Sequence, residues 1–151
     1  RIGWMILSGN IRCMSDFLLG VNMLSNMRLC SNVPAQSIVQ TALGGYQSVE
    51  TYVRPGGRVY DQRDFVYRAL NEIDGVTAVK PKAAFYIFPK LDVKKFNIHD
   101  LLHEKKILIT RGGGFNWEQP DHFRVVYLPR IDVLAECMDD LADFLSTYHQ
   151  E

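Results

Sequence analysis

The sequence predicts an α+β domain in which helices come first, short strands follow and one helix closes the chain. Three observations carry this. Between residues 11 and 73 the apolar side chains recur at near-helical spacing. After Asp74-Gly75 the pattern changes to short apolar runs bounded by turn residues. From Ile131 an apolar stripe returns at spacings of three and four. Elements segregated along the chain, rather than alternating, fit a small antiparallel sheet with helices on one face.

The chain begins at Arg1 without a methionine and runs at once into the apolar stretch Ile2 to Leu7. That stretch reads as a strand or strand end of a longer protein, since a natural start is usually polar and loose. Residues 11–31 form the first predicted helix, with Met14, Phe17, Leu18, Val21, Leu24, Met27 and Leu29 on a broad apolar face. Asn32 or Ser31 caps the next helix, and Pro34 suits its first turn, where a missing N–H costs nothing. That helix runs to Leu43 and ends at Gly44-Gly45, where a left-handed cap is easy. A third helical stretch covers Tyr46 to Val53 and is broken by Pro55-Gly56-Gly57. A fourth runs from Tyr60 to Ile73, with Phe65, Val66, Ala69, Leu70 and Ile73 buried.

Val76 to Val79 and Ala83 to Phe88 read as strands joined at Lys80-Pro81-Lys82. Ile107 to Thr110 is a third strand, and Phe123 to Leu128 a fourth, closed by Pro129. The last helix carries Leu134, Met138, Leu141, Leu145 and Tyr148 on its stripe.

At 151 residues the chain is long enough to bury a core without metal or disulfide. Seventeen basic residues balance seventeen acidic ones, which argues against nucleic acid as a partner. No apolar run approaches the roughly 18 residues of a membrane span. Cys13, Cys30 and Cys137 are odd in number and far apart, as expected in a reducing cytoplasm. The histidines His99, His103, His122 and His149 lack metal spacing, so no metal is expected. Phe85 and Tyr86 alternate faces on the second strand and read as core packing.

Arg124 is the strongest chemical candidate. It sits in the apolar run His122-Phe123-Arg124-Val125-Val126-Tyr127-Leu128, with apolar alternation partners. A charge on a partly buried face needs a partner, and a guanidinium grips a carboxylate with two parallel hydrogen bonds. The partner is either an acidic side chain or a bound carboxylate; the position leaves both open. Arg111-Gly112-Gly113-Gly114 follows the third strand and lets backbone approach a ligand or turn freely. It is not a phosphate loop, because no Lys-Ser/Thr follows.

Several segments resemble one family in order. They are Arg1-Ile2-Gly3-Trp4-Met5, Met27-Arg28-Leu29-Cys30-Ser31-Asn32-Val33-Pro34-Ala35-Gln36 and Gln40-Thr41-Ala42-Leu43-Gly44-Gly45-Tyr46-Gln47-Ser48. Phe85-Tyr86-Ile87-Phe88-Pro89-Lys90, Phe96-Asn97-Ile98-His99-Asp100, Phe115-Asn116-Trp117 and Pro120-Asp121-His122-Phe123-Arg124 continue the series. Together they resemble the C-terminal half of class I/II pyridoxal-phosphate-dependent aminotransferases of fold type I, nearest to the bacterial alanine aminotransferase branch.

The resemblance implies a cytoplasmic enzyme that moves an amino group between an amino acid, alanine foremost, and a 2-oxo acid through pyridoxal 5'-phosphate. It implies that Arg1 contacts the cofactor phosphate and that Arg124 holds the substrate α-carboxylate. It places the loop with Gly113, Gly114 and Phe115 near the substrate, and implies a homodimer for the whole enzyme. It also implies a division into residues 1–45, the end of a larger domain with connecting helices, and residues 46–151, a C-terminal small domain. The Schiff-base lysine is expected before Arg1, so the chain by itself is expected to hold no cofactor and to be inactive. Two departures stand out: the chain is several residues short between Asp100 and Leu101, and Arg111 to Gly114 is more basic and glycine-rich than the family loop. A reading from a different class is a free-standing α+β module that binds amino acids or carboxylates for regulation.

Overall fold

The structure, a computed structural model, describes residues 2–92, 98–119 and 121–148. Arg1 and the Phe96-Asn97 pair lie outside these residues. The chain divides into two compact units, Arg1–Ser48 and Val49–Glu151.

The first unit holds a short 3₁₀ turn, Ile11–Met14, running into α1, Ser15–Arg28, and then α2, Val33–Gly44. Helix α1 stops three residues earlier than its apolar spacing suggests, because Leu29 takes a positive φ of 70°. Asn32 caps α2: its Oδ1 accepts from the Ala35 N–H at 3.0 Å. The end of α2 differs from expectation. Gly45 is extended, at φ −87° and ψ −166°, and its N–H returns to the Thr41 carbonyl at 2.8 Å. Residues 2–7 form no strand, and Trp4 is 62% exposed. An apolar run becomes a strand only where another strand pairs with it, and none does within the described residues.

The second unit opens with α3, Val49–Val53, which begins three residues later than the predicted helix. Helix α4, Arg58–Glu72, buries Gln62, Val66 and Leu70. Strands β1 (Val76–Thr77), β2 (Tyr86–Ile87) and β3 (Lys90–Leu91) follow, then α5, Ile98–Lys105. Strands β4 (Thr110–Arg111) and β5 (Phe123–Val126) precede α6, Ile131–Thr147. Among the described residues all pairings are antiparallel, but they form two small sheets: β1 with β3, and β5 in the centre of β2-β5-β4. The strands on either side of Lys80-Pro81-Lys82 therefore do not pair with each other. A bridge between Lys90 and His122 links the two sheets.

The predicted third strand is mostly unpaired, since only Thr110 of residues 107–110 joins β5. Ile109 is buried and Leu108 exposed, so the alternation is that of extended backbone without its ladder. The core is built by Val66 and Leu70 from α4, by Ile87, Phe123 and Val125 from the larger sheet, by Tyr127 just beyond it, and by Leu134, Leu141 and Phe144 from α6. Helix α6 buries Leu134, Met138 and Leu141 as its stripe predicts, and Phe144 as well. Buried Gln62 ties α4 to the turn after β5, its Nε2 donating to the Pro129 carbonyl. The core therefore backs one face of β5 and leaves the other for Arg124.

Candidate functional site

Strand β5 alternates strictly. Phe123 and Val125 enter the core, while Arg124 and Val126 face the other way. Antiparallel register fixes the neighbours of Arg124: Thr110 of β4 lies directly opposite, and Tyr86 of β2, opposite Val126, lies diagonally on the same face. Beyond β4 the glycines let the chain tighten into a 3₁₀ turn, Gly112–Phe115, which brings Phe115 back over the strand. Asn116 then takes the left-handed conformation, φ 59°, a position asparagine tolerates better than most residues.

Arg124 is thereby held between two rings. Its Cζ lies 4.5 Å from the centroid of Tyr86 and 4.5 Å from that of Phe115. Rings at this distance attract a cation through their quadrupole and keep the guanidinium plane fixed. Arg124 Nε is buried and makes no hydrogen bond. No carboxylate forms an ion pair with Arg124 among the described residues. A buried donor left unpaired costs about 1–3 kcal/mol, and an incoming carboxylate would relieve that cost. Tyr86, expected in the core, is instead 37% exposed and serves as one wall of this slot.

The 112–117 turn is pinned at both ends. The Gly112 N–H donates to the His122 carbonyl at 2.8 Å. At the other end the Trp117 indole Nε1 donates to Asp121 Oδ1 at 2.9 Å. His122 Nδ1 meets the same oxygen at 2.8 Å, and because an ionised carboxylate only accepts, Nδ1 carries the proton. The hydrogen bonds from His122 and then Trp117 hold the Asp121 carboxyl below its usual range. The Phe88 ring fills the space beneath, stacked on His122 at 5.0 Å and edge-on to Phe115 and Trp117 at 6.0 Å each.

Gly112 is needed here for space. A Cβ would stand 2.9 Å from the His122 carbonyl oxygen and 3.2 Å from Phe88 Cζ. Gly112→Ala is expected to cost about 1–3 kcal/mol through overpacking, read from the midpoint of denaturant unfolding. An unchanged midpoint would mean that the turn relaxes freely. Gly113 and Gly114 are exposed, and a Cβ at Gly113 meets nothing within 4 Å. Phe115 is the member of this loop that contacts Arg124.

Arg124 also lines a cavity of about 280 Å³ together with Ile109, Thr110, Val126, Leu134 and Cys137. Burial, with Asp140 and Glu136 nearby, pushes the Cys137 thiol up, which makes it a poor nucleophile. Among the described residues no group of His, Cys, Asp and Glu could hold a metal ion. No described helix is long and apolar enough to cross a membrane. Of the two arginines that the resemblance assigns, the described residues contain only Arg124. The buried, unpaired Nε donor of Arg124 suits a carboxylate.

The fold of this chain matches that of solved aminotransferases. An aminotransferase from Escherichia coli matches 98% of this chain with a TM-score of 0.85 and 48% identity, over 38% of its own length. The alanine aminotransferase from Pyrococcus furiosus matches 89% of it with a TM-score of 0.76 and 35% identity, over 35% of its own length. The chain corresponds, over nearly its whole length, to the C-terminal portion of fold type I aminotransferases.

Its sequence relatives sharpen the class. Glutamate-pyruvate aminotransferase AlaA of Haemophilus influenzae is 51% identical across 99% of the chain. Alanine aminotransferase of Mycobacterium tuberculosis is 48% identical across 99% of it. The chain spans 39% and 37% of these two relatives. Both alignments extend over 157 positions against 151 residues here, so the relatives carry residues this chain lacks. No family model matches.

Proposed function

We propose that this chain is the carboxylate-binding portion of an aminotransferase that moves an amino group between alanine and a 2-oxo acid. The observation that carries this is Arg124: a guanidinium fixed between Tyr86 and Phe115 with a buried, unpaired Nε donor. Such a group matches a small, flat anion of two oxygens, and every amino acid and 2-oxo acid presents one. Relatives at about half identity named as alanine and glutamate-pyruvate aminotransferases support that substrate pair. Pyridoxal phosphate, when bound, supplies the electron sink for the α-carbon chemistry. In this reading Arg1 anchors its phosphate, and a lysine from outside this chain moves the proton.

The work of this chain is orientation. Arg124 binds the carboxylate through two parallel charge-assisted hydrogen bonds, stronger than neutral ones and directional. With the carboxylate fixed, the bond to the α-hydrogen is held in one direction, which removes rotational freedom before reaction. The two rings hold the guanidinium in place for that contact. The enzyme is proposed to be a cytoplasmic homodimer, consistent with three cysteines that the structure leaves free.

The full-length protein supplied with pyridoxal phosphate, alanine and 2-oxoglutarate is expected to release pyruvate and glutamate. The 151-residue chain alone is expected to release neither. Absence of amino transfer by the full-length protein from alanine and from other common amino acids would overturn the proposal.

A further inference from the structure

The Asp121 carboxylate forms no ion pair with Arg124 among the described residues, yet it gathers donors from both sides of the slot. Its Oδ1 accepts from both Trp117 Nε1 and His122 Nδ1, at 2.9 and 2.8 Å, and Oδ2 lies 4.0 Å from Lys90 Nζ. Trp117 lies two residues after the turn that carries Phe115, and His122 immediately precedes the strand that carries Arg124. Phe88 packs against all three rings of this cluster. One carboxylate oxygen therefore fixes the loop side and the strand side of the slot relative to each other. We propose that Asp121 is a positioning residue that keeps Phe115 closed on Arg124, so that the guanidinium meets the substrate carboxylate preformed.

This rests on the reading of Arg124 as the carboxylate clamp. The role needs an acceptor at the Oδ1 position and not a negative charge. Asparagine supplies such an oxygen; alanine does not. A preformed slot also acts through Arg124 alone, so its effect must vanish when Arg124 is gone.

The test is steady-state kinetics of the full-length enzyme for Asp121→Ala, Asp121→Asn, Arg124→Ala and the double variant Asp121→Ala/Arg124→Ala. Asp121→Ala is expected to raise KM for the amino acid about tenfold, a modest share of what small misplacements cost, with kcat within about twofold. Asp121→Asn is expected to restore KM to within about threefold of wild type. In the Arg124→Ala background, Asp121→Ala is expected to change KM less than about twofold. An unchanged KM in Asp121→Ala, no rescue by asparagine, or an equal effect in both backgrounds would each overturn the inference. If Arg124→Ala itself leaves KM unchanged, the clamp reading fails instead. Should Asp121→Ala not fold, Trp117→Phe keeps the ring and removes one donor; its expected KM rise is about threefold, and no rise overturns the inference.

Discussion

Arg124→Ala in the full-length enzyme is expected to lower kcat/KM for alanine by a factor of about 100 or more, with most of the loss in KM. The magnitude follows from what is removed. A charge-assisted, two-point contact with the carboxylate is lost, and the substrate's anionic end is left without its partner. Truncating one side of a buried charge pair costs about 2–5 kcal/mol, and about 3 kcal/mol corresponds to a factor above 100. Arg124→Lys recovers part of the binding but not the two-point geometry, because an ammonium is a point charge without a planar fork. It also packs less well between Tyr86 and Phe115. A KM unchanged by Arg124→Ala would remove Arg124 from substrate binding.

The second large effect is on stability. Phe123→Ala is expected to destabilise the chain by about 4 kcal/mol, within the range for emptying a large aromatic site in a packed core. Phe123 has no exposure and sits beside Arg124 on the central strand, packed with Ile87, Val125 and Tyr127. Its N–H also joins the Pro89 carbonyl, so its position helps to set the junction of the two sheets. A loss of that size is a large part of the stability of an ordinary domain. Phe17→Ala makes the contrast: that ring is 50% exposed on α1, and its loss is expected to cost less than about 1 kcal/mol. Chemical unfolding monitored by circular dichroism measures both. Equal effects at the two positions would contradict the assignment of the core to the second unit.

Much of this was legible in the residues because periodicity reports burial. The stripe of α6 and the alternation along β5 each placed one face on the core, and Arg124 stood out as a charge in an apolar strand. Strand pairing was less legible. Residues 107–109 and 2–7 have strand-like composition, but a ladder needs a partner, and partners are chosen by tertiary packing. The adjacent strands around Pro81 illustrate the same limit, since β2 pairs with β5, close to 40 residues away in sequence. Gln62 was missed because its burial is rewarded by two carbonyls at the end of β5, which no local pattern announces. Tyr86 read as core, and only the register that sets it diagonal to Arg124 gives it a place in the site. The Trp117-Asp121-His122 network spans a turn and has no periodicity to betray it.

The central claim is that Arg124 recognises the substrate's carboxylate. It is tested most directly by comparing alanine with ethylamine, which is alanine without that group, in single-turnover amino transfer by the full-length enzyme and by Arg124→Ala. The account predicts that the substitution slows alanine by about 100-fold and leaves ethylamine within about twofold, so that the preference for alanine collapses. Equal slowing of both amines would contradict it.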